Sequence, residues 1–275
     1  MKQIILLLLV ASTLFSCGEV EIDRYGNPDN IYFDFDDEET SDRDSVVFSF
    51  AYTPEKVSDT VYLPIRISGL RVSHDRRFKV VVLEDSISTA TPVLHYKPLE
   101  EFYTIPADSG TLQVPVVLYN QDTLLQDKSV ALHFMLVPTE DFGTTLPYGV
   151  YARLVFSSRL EKPDWWAGVE SVFMDYSRTK HQLYLISIGN IPLIMEGANI
   201  PYNLFIMDKF RRFLVDPFTW VQSNPDYQID TVVEDQEYVL FSKANPATLR
   251  FKIRWDNDAK RYYFIDENNS KVLFN

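Results

Sequence analysis

Cysteine is nearly absent, with Cys17 the only one in 275 residues. A lone thiol cannot close a disulfide within the chain, so its presence in an exported protein needs another explanation. Glycine is scarce as well. Nine glycines leave little room for a glycine-rich phosphate loop, and no such loop appears. There is no Gly-x-Ser-x-Gly elbow, which leaves a hydrolase of that class unsupported. The four histidines, His74, His95, His133 and His181, lie outside metal-ligand spacing, and no His-Glu-x-x-His pair occurs. Basic residues are outnumbered, 26 against 39 acids, for a net charge of −13. Such a surface disfavours nucleic acid and gives no basic patch for anionic lipid. Past the first residues no apolar run is long enough to cross a membrane, and nothing repeats at a solenoid period. No cofactor and no metal is implied, and an enzyme is not expected.

What the chain does have begins at its first residues. Lys2 precedes the unbroken apolar run Ile4–Ala11, and Leu14-Phe15-Ser16-Cys17 follows. The run is the length of a signal-peptide core and too short for a spanning helix. Ser16 supplies the small residue needed before a cleavage point. Leu14 completes what resembles a bacterial lipobox, in which the cysteine is acylated and becomes the first residue. Residues 1–16 are therefore expected to be a signal peptide and Cys17 a lipid attachment site. Several acyl chains on one cysteine give durable membrane attachment, whereas a single chain binds marginally. Gly18-Glu19-Val20-Glu21-Ile22-Asp23 is similar to the acidic surface-export signals of Bacteroidetes lipoproteins. This implies an outer-membrane location facing the cell exterior, with a periplasm-facing anchor as the alternative. Residues 17–30 read as an acidic tether.

From Ile31 the pattern becomes that of strands. Ile31, Phe33 and Phe35 share one face, as do Val46, Phe48 and Phe50. Val61, Leu63, Ile65 and Ile67 alternate with polar positions, and Pro64 among them points to an edge strand or a bulge. Phe78–Leu83, Leu112–Leu118, Val130–Val137 and Tyr151–Phe156 continue the series. In Val130–Val137 the apolar face is Val130, Leu132, Phe134 and Leu136, which places His133 on the opposite one. Seven short strands with turn-rich joints predict an Ig-like or fibronectin-like β-sandwich over residues 31–160. The passage Tyr103–Val116, with its Ile-Pro-Ala turn and Val-Pro-Val strand, resembles a segment common in extracellular β-sandwich modules.

Around Lys162-Pro163-Asp164-Trp165-Trp166 the texture changes, and residues 161–275 are expected to form a smaller α+β region. Asp164 is placed to cap a short helix. Residues 169–188 read as a helical stripe, or as a helix followed by a strand. Leu204, Phe205, Met207, Phe210, Phe213 and Leu214 recur at helical spacing within 202–221, with Pro217 ending or interrupting the helix. Strands return at Tyr238–Phe241, Leu249–Trp255 and Tyr262–Ile265, the last two joined by a hairpin across Asp256–Lys260.

The lipobox, the strand-rich start at Asn30-Ile31-Tyr32-Phe33, and the Lys162–Trp166 junction followed by Tyr176-Ser177-Arg178-Thr179-Lys180 occur together. In that order they resemble an uncharacterised Bacteroidetes lipoprotein family, known only as a domain of unknown function. Members of such families are often encoded near TonB-dependent transporters and SusD-like partners that import glycans or peptides. The resemblance thus implies an outer-membrane transport complex as a partner, and it carries no catalytic residues.

Carboxylates are plentiful. The densest run is Asp34–Glu39 followed by Asp42 and Asp44, and it lacks the glycine and spacing of an EF-hand loop. It reads as a solvated acidic loop, and Asp256-Asn257-Asp258 reads as a hairpin turn. A glycosidase needs two facing carboxylates, which sequence alone does not locate. The candidate contacts for a ligand or partner are the tryptophans Trp165, Trp166, Trp220 and Trp255. Indole rings stack on sugar faces and anchor protein partners, and they also fill domain junctions. Adjacent residues point in different directions, so at most one of Trp165 and Trp166 is expected to reach a ligand. The reading is a membrane-anchored binding or accessory lipoprotein, with glycan or nutrient capture as its role. The alternatives are an adhesive subunit making protein contacts and a hydrolase with an unrecognised carboxylate pair.

Overall fold

The computed structural model describes residues 29–35 and 44–275. The signal peptide, Cys17, nearly all of the tether and the acidic run from Asp36 to Asp42 lie outside the described residues. Asp29 and Asn30, expected in the tether, are built into the body instead. Asn30 is buried, and the Asp29 carboxylate pairs with the buried Arg76 guanidinium at 2.7 Å. A Cβ at Gly69 would collide with that carboxylate, so glycine is required there.

The chain is mainly β. Strands β1 (Asn30–Phe33), β3 (Ser58–Ser68) and β6 (Thr111–Tyr119) form one antiparallel sheet in the order β1-β3-β6. Strands β2 (Ser45–Ser49), β8 (Tyr151–Ser157), β7 (Val130–Val137), β4 (Arg76–Val82) and β5 (Tyr103–Ile105) form a second, in the order β2-β8-β7-β4-β5. The longer strands each carry one buried face at period two, and the two faces meet in a shared core. Ile31, Leu63, Ile65, Val114 and Val116 come from the first sheet, and Phe78, Val80, Leu132, Phe134 and Leu154 from the second. The chain changes sheets between β1 and β2: β1 pairs antiparallel with β3, and β2 pairs parallel with β8 in the other sheet.

All seven strands expected here are present. The eighth, β5, spans three residues, too few for an alternation to register. Pro64 sits in the central strand of its sheet, contrary to the edge or bulge expected. Its carbonyl accepts from the Asp34 N–H, just past Phe33, the last residue of β1 paired with β3. The missing proline N–H therefore faces a side where the ladder has already ended.

The rest of the chain pairs helices with a sheet. A 3-10 turn over Asp164–Val169 leads into α1 (Glu170–Phe173), α2 (Arg178–Ile188), α3 (Ile200–Val215) and α4 (Pro217–Gln222). Residues 169–188 thus hold two helices and no strand. Asp164 opens the 3-10 turn from inside, without the side-chain cap bond expected of it, and Pro163 holds the cap position. The Ser177 hydroxyl accepts from the Lys180 N–H and starts α2. Pro217 ends the stripe of α3 and opens α4, where its missing donor costs nothing. Strands β9 (Tyr227–Val233), β10 (Glu237–Ser242), β11 (Arg250–Asp256) and β12 (Arg261–Ile265) form an antiparallel sheet in that sequential order. Strand β9 was not expected, because only Tyr227 and Ile229 alternate inward before the pattern lapses into exposed residues. The core between helices and sheet holds Trp166, Phe173, Tyr184, Phe210, Phe213, Phe251, Ile253 and Phe264.

A small apolar cluster of Ala51, Leu160 and Leu185 joins this part to the sandwich. Around it runs a polar seam. The Asn245 amide donates to the carbonyls of Pro54 and Asn120, at 3.3 and 3.2 Å. The Gln126 amide donates to the Thr248 carbonyl at 2.8 Å. The Arg178 guanidinium reaches the Gln126 carbonyl and the Asp127 carboxylate. Asn120 and Asn245 are both buried, so the two Asn245 bonds lie out of reach of water. Among the described residues, no helix is long and apolar enough to cross a membrane.

Candidate functional site

The four tryptophans separate cleanly. Trp166 is 0% exposed, and its ring N–H donates to the Met174 carbonyl at 3.2 Å. It is a core residue and leaves the set of contact candidates. The cause is local: the 3-10 turn aims it between Phe173, Tyr176 and His181. Trp165 is half-buried. One part of its ring packs on Trp166 and Tyr184, and the rest lines an open groove.

That groove encloses about 490 Å³ between Tyr52, Lys162, Pro163, Asp164, Trp165, Asn190 and Pro192. Its walls come from both parts of the molecule. Tyr52 stands in the turn after β2, held by the Thr53 N–H donating to the Phe50 carbonyl, and is 47% exposed. Lys162 to Trp165 belong to the connector, and Asn190 and Pro192 to the loop after α2. Lys162 pairs with Glu170 at 3.0 Å. Two aromatic rings, one carboxylate, one amide and one ammonium therefore share a shallow concavity. Such a set offers faces for apolar ring surfaces and polar groups for hydroxyls. Tyr52 and Asn190 escaped the sequence reading, since the fold alone brings them beside Trp165.

Beneath the groove lies a layer of buried titratable groups. His181 is buried against Trp165, Trp166 and Tyr176, and burial pushes its pKa down to about 4. It is neutral at pH 7. Lys180 is 3% exposed, and its ammonium donates to the carbonyls of Phe173 and Asp175, both at 2.6 Å. Burial lowers it to about 8. Burial also raises Tyr176 and Tyr184 well above the usual phenol range. These groups brace the floor of the groove and do not open into it.

Trp220 lies elsewhere. With Lys209, Arg211, Arg212, Phe213, Val215, Asp216 and Thr219 it lines a mostly apolar groove of about 440 Å³ where α3 meets α4. Trp255 packs edge-on to Tyr262, which meets Tyr238 and Phe218 in the same way, at interplanar angles of 62–85°. Rings so crossed present no flat platform. His133 lies on the outer sheet face as expected, its Nδ1 2.6 Å from the Asp85 carboxylate. The Asp256 carboxylate accepts from the Asp258 and Ala259 N–H groups, which makes that segment the hairpin turn expected. No cluster of three or more metal-ligating side chains occurs among the described residues.

The carboxylates with a perturbed pKa are all shifted downward. Asp256 is held at about 2 by backbone donors and Lys271. Burial opposes the shift at Asp122 and Glu267, but backbone N–H donors outweigh it, helped by His95 at Asp122. Asp59, Asp85, Asp208 and Asp216 are lowered by hydrogen bonds to their partners. A carboxylic acid that donates a proton near neutrality needs the opposite shift.

A family model described as a domain of unknown function, DUF4843, matches residues 25–190. The chain belongs to that family. The matched span takes in every residue lining the junction groove except Pro192, and it excludes Trp220 and Trp255. No curated protein matches the chain. Among solved structures, it is similar to the Calx CBD1 domain at 9% identity and a TM-score of 0.34, over 48% of this chain and 97% of that one. A Bacteroides ovatus protein of unknown function is 21% identical, with a TM-score of 0.31, and the match covers 41% of this chain and 39% of the other. A candidate carbohydrate binding protein from Bacteroides ovatus ATCC 8483 is 14% identical, with a TM-score of 0.36, over 90% and 69% of the two chains.

Proposed function

We propose that this DUF4843 protein is a lipid-anchored binding or accessory protein of the outer membrane, displayed on the cell exterior, that captures glycan in the junction groove. The observation that carries the reading is that Tyr52 and Trp165 line one concavity together with Asp164 and Asn190. The aromatic faces suit the apolar face of a sugar ring, and the carboxylate and amide suit its hydroxyls. Display rests on the lipobox at Cys17 and the acidic residues that follow it. A place beside an outer-membrane transport complex rests on the family resemblance. We read residues 31–160 as an Ig-like sandwich whose first two strands lie in different sheets, and 161–275 as an α+β domain. We read the role as binding without catalysis: among the described residues Asp164 is the one acid lining the groove, and glycoside hydrolysis needs a facing pair.

The test is a glycan array probed with the chain from Gly18 to Asn275 and with its Tyr52→Ala variant. Binding that the variant loses is the expected result. Absence of signal on every glycan would remove the glycan reading.

A further inference from the structure

Strand β9 ends its sheet, and nothing among the described residues pairs with its outer edge. The other sheet edges are shorter or covered. The β1 edge donates to the Gly143 and Gly149 carbonyls, and the β6 edge is bonded by His95 and Lys97. The β12 edge is bridged at Ile265 by Lys271, β2 has five residues and β5 three. β9 has seven residues, Tyr227-Gln228-Ile229-Asp230-Thr231-Val232-Val233, with no proline, lysine or arginine. An uncovered edge of this kind is a template for another strand.

The phase of its ladder can be read from one bond. The Lys243 N–H donates to the Asp226 carbonyl, so Asp226, Gln228 and Asp230 bond to β10. The N–H and C=O of Ile229 and Thr231 therefore point away from the sheet. The Tyr227 N–H is already spent on the Asn224 carbonyl, and a register shift at Val232 closes the far end. The open window is short and centred on Asp230. It is also acidic, with Asp226 before the strand and Glu234 and Asp235 in the turn after it. Two copies paired about Asp230 would set carboxylate against carboxylate, on chains that each carry a net charge of −13. The same charges favour a cationic strand.

We propose that the β9 edge binds an extended, lysine- or arginine-bearing segment of another protein by strand addition, with Ile229 and Thr231 making the main-chain bonds and Asp230 selecting the charge. The site is separate from the junction groove, so loss of glycan binding leaves the proposal untouched.

The test uses two capped seven-residue peptides, one alternating lysine with valine and one alternating glutamate with valine. Amide hydrogen exchange is followed on the chain from Gly18 to Asn275. The lysine peptide is expected to slow exchange at Ile229 and Thr231 several-fold, and the glutamate peptide to leave it unchanged. Thr231→Pro removes an outward N–H without touching a bond to β10, and the slowing is then lost. Asp230→Lys keeps the backbone intact and reverses the preference toward the glutamate peptide. The proposal is overturned by equal effects of both peptides or by no slowing at saturating lysine peptide. Protection that maps to β2 or β12 overturns it too, as does self-association that protects the same amides without peptide.

Discussion

His181 supplies a stability signal that can be worked out in advance. Its imidazole is 1% exposed, and burial brings its pKa to about 4 from an ordinary 6.5. In the unfolded chain it takes up a proton near 6.5, whereas the folded chain resists until about 4. Between those values unfolding binds a proton, so stability falls as the pH falls. Linkage gives a loss of about 2 kcal/mol on going from pH 8 to pH 5, tending to about 3 kcal/mol below pH 4. Other groups titrate over the same range, so the signal is isolated by comparison with His181→Gln, which keeps a polar donor and carries no titrating ring. Urea unfolding followed by tryptophan fluorescence at pH 8, 6.5 and 5 gives both free energies. From pH 8 to pH 5 the wild type should lose about 2 kcal/mol more stability than the variant. Parallel pH curves for the two proteins would show that His181 is not held neutral by burial.

Trp166→Ala should cost about 3–5 kcal/mol in the same unfolding assay, since it empties the centre of the aromatic core. Tyr52→Ala should change stability by less than about 0.5 kcal/mol while abolishing glycan binding, because its exposed ring supports little packing. Arg76→Met leaves the Asp29 carboxylate without its partner and should cost about 3 kcal/mol, read as a lowered urea midpoint. Cys17→Ala should release the protein from the membrane fraction, and a variant that still sediments with membranes would refute the anchor.

The sandwich was legible because its strands each bury one face, and period-two alternation survives in Val61–Ile67 and Val130–Leu136 even with Pro64 in the way. α3 was legible for the matching reason, since Met207, Phe210, Phe213 and Leu214 keep one helical stripe inward, whereas Leu204 and Phe205, expected on that stripe, are exposed and Ile206 takes the inward place. α2 was legible only as one of two alternatives, a helix or a strand, because it is buried on most sides and so shows little contrast between faces. β9 was hidden by its exposure: an edge strand with one poorly covered face loses the pattern that marks a strand. At the groove, Trp165 and Asp164 could be picked out as a conspicuous local motif. Tyr52 and Asn190 could not, because their partnership with Trp165 is created by the contact between two parts of the fold.

The amide bonds that tie Asn245 to Asn120 and Pro54 set how the groove behaves. Greasy interfaces can slide while keeping their area buried, but directional bonds in a dry seam lose their partners under a small rotation. The segments that carry Tyr52 and Trp165 are therefore held like the jaws of a gauge and unlike those of a clamp. On the proposed reading, a ligand meets a preset aperture, and no closing motion is asked of the protein.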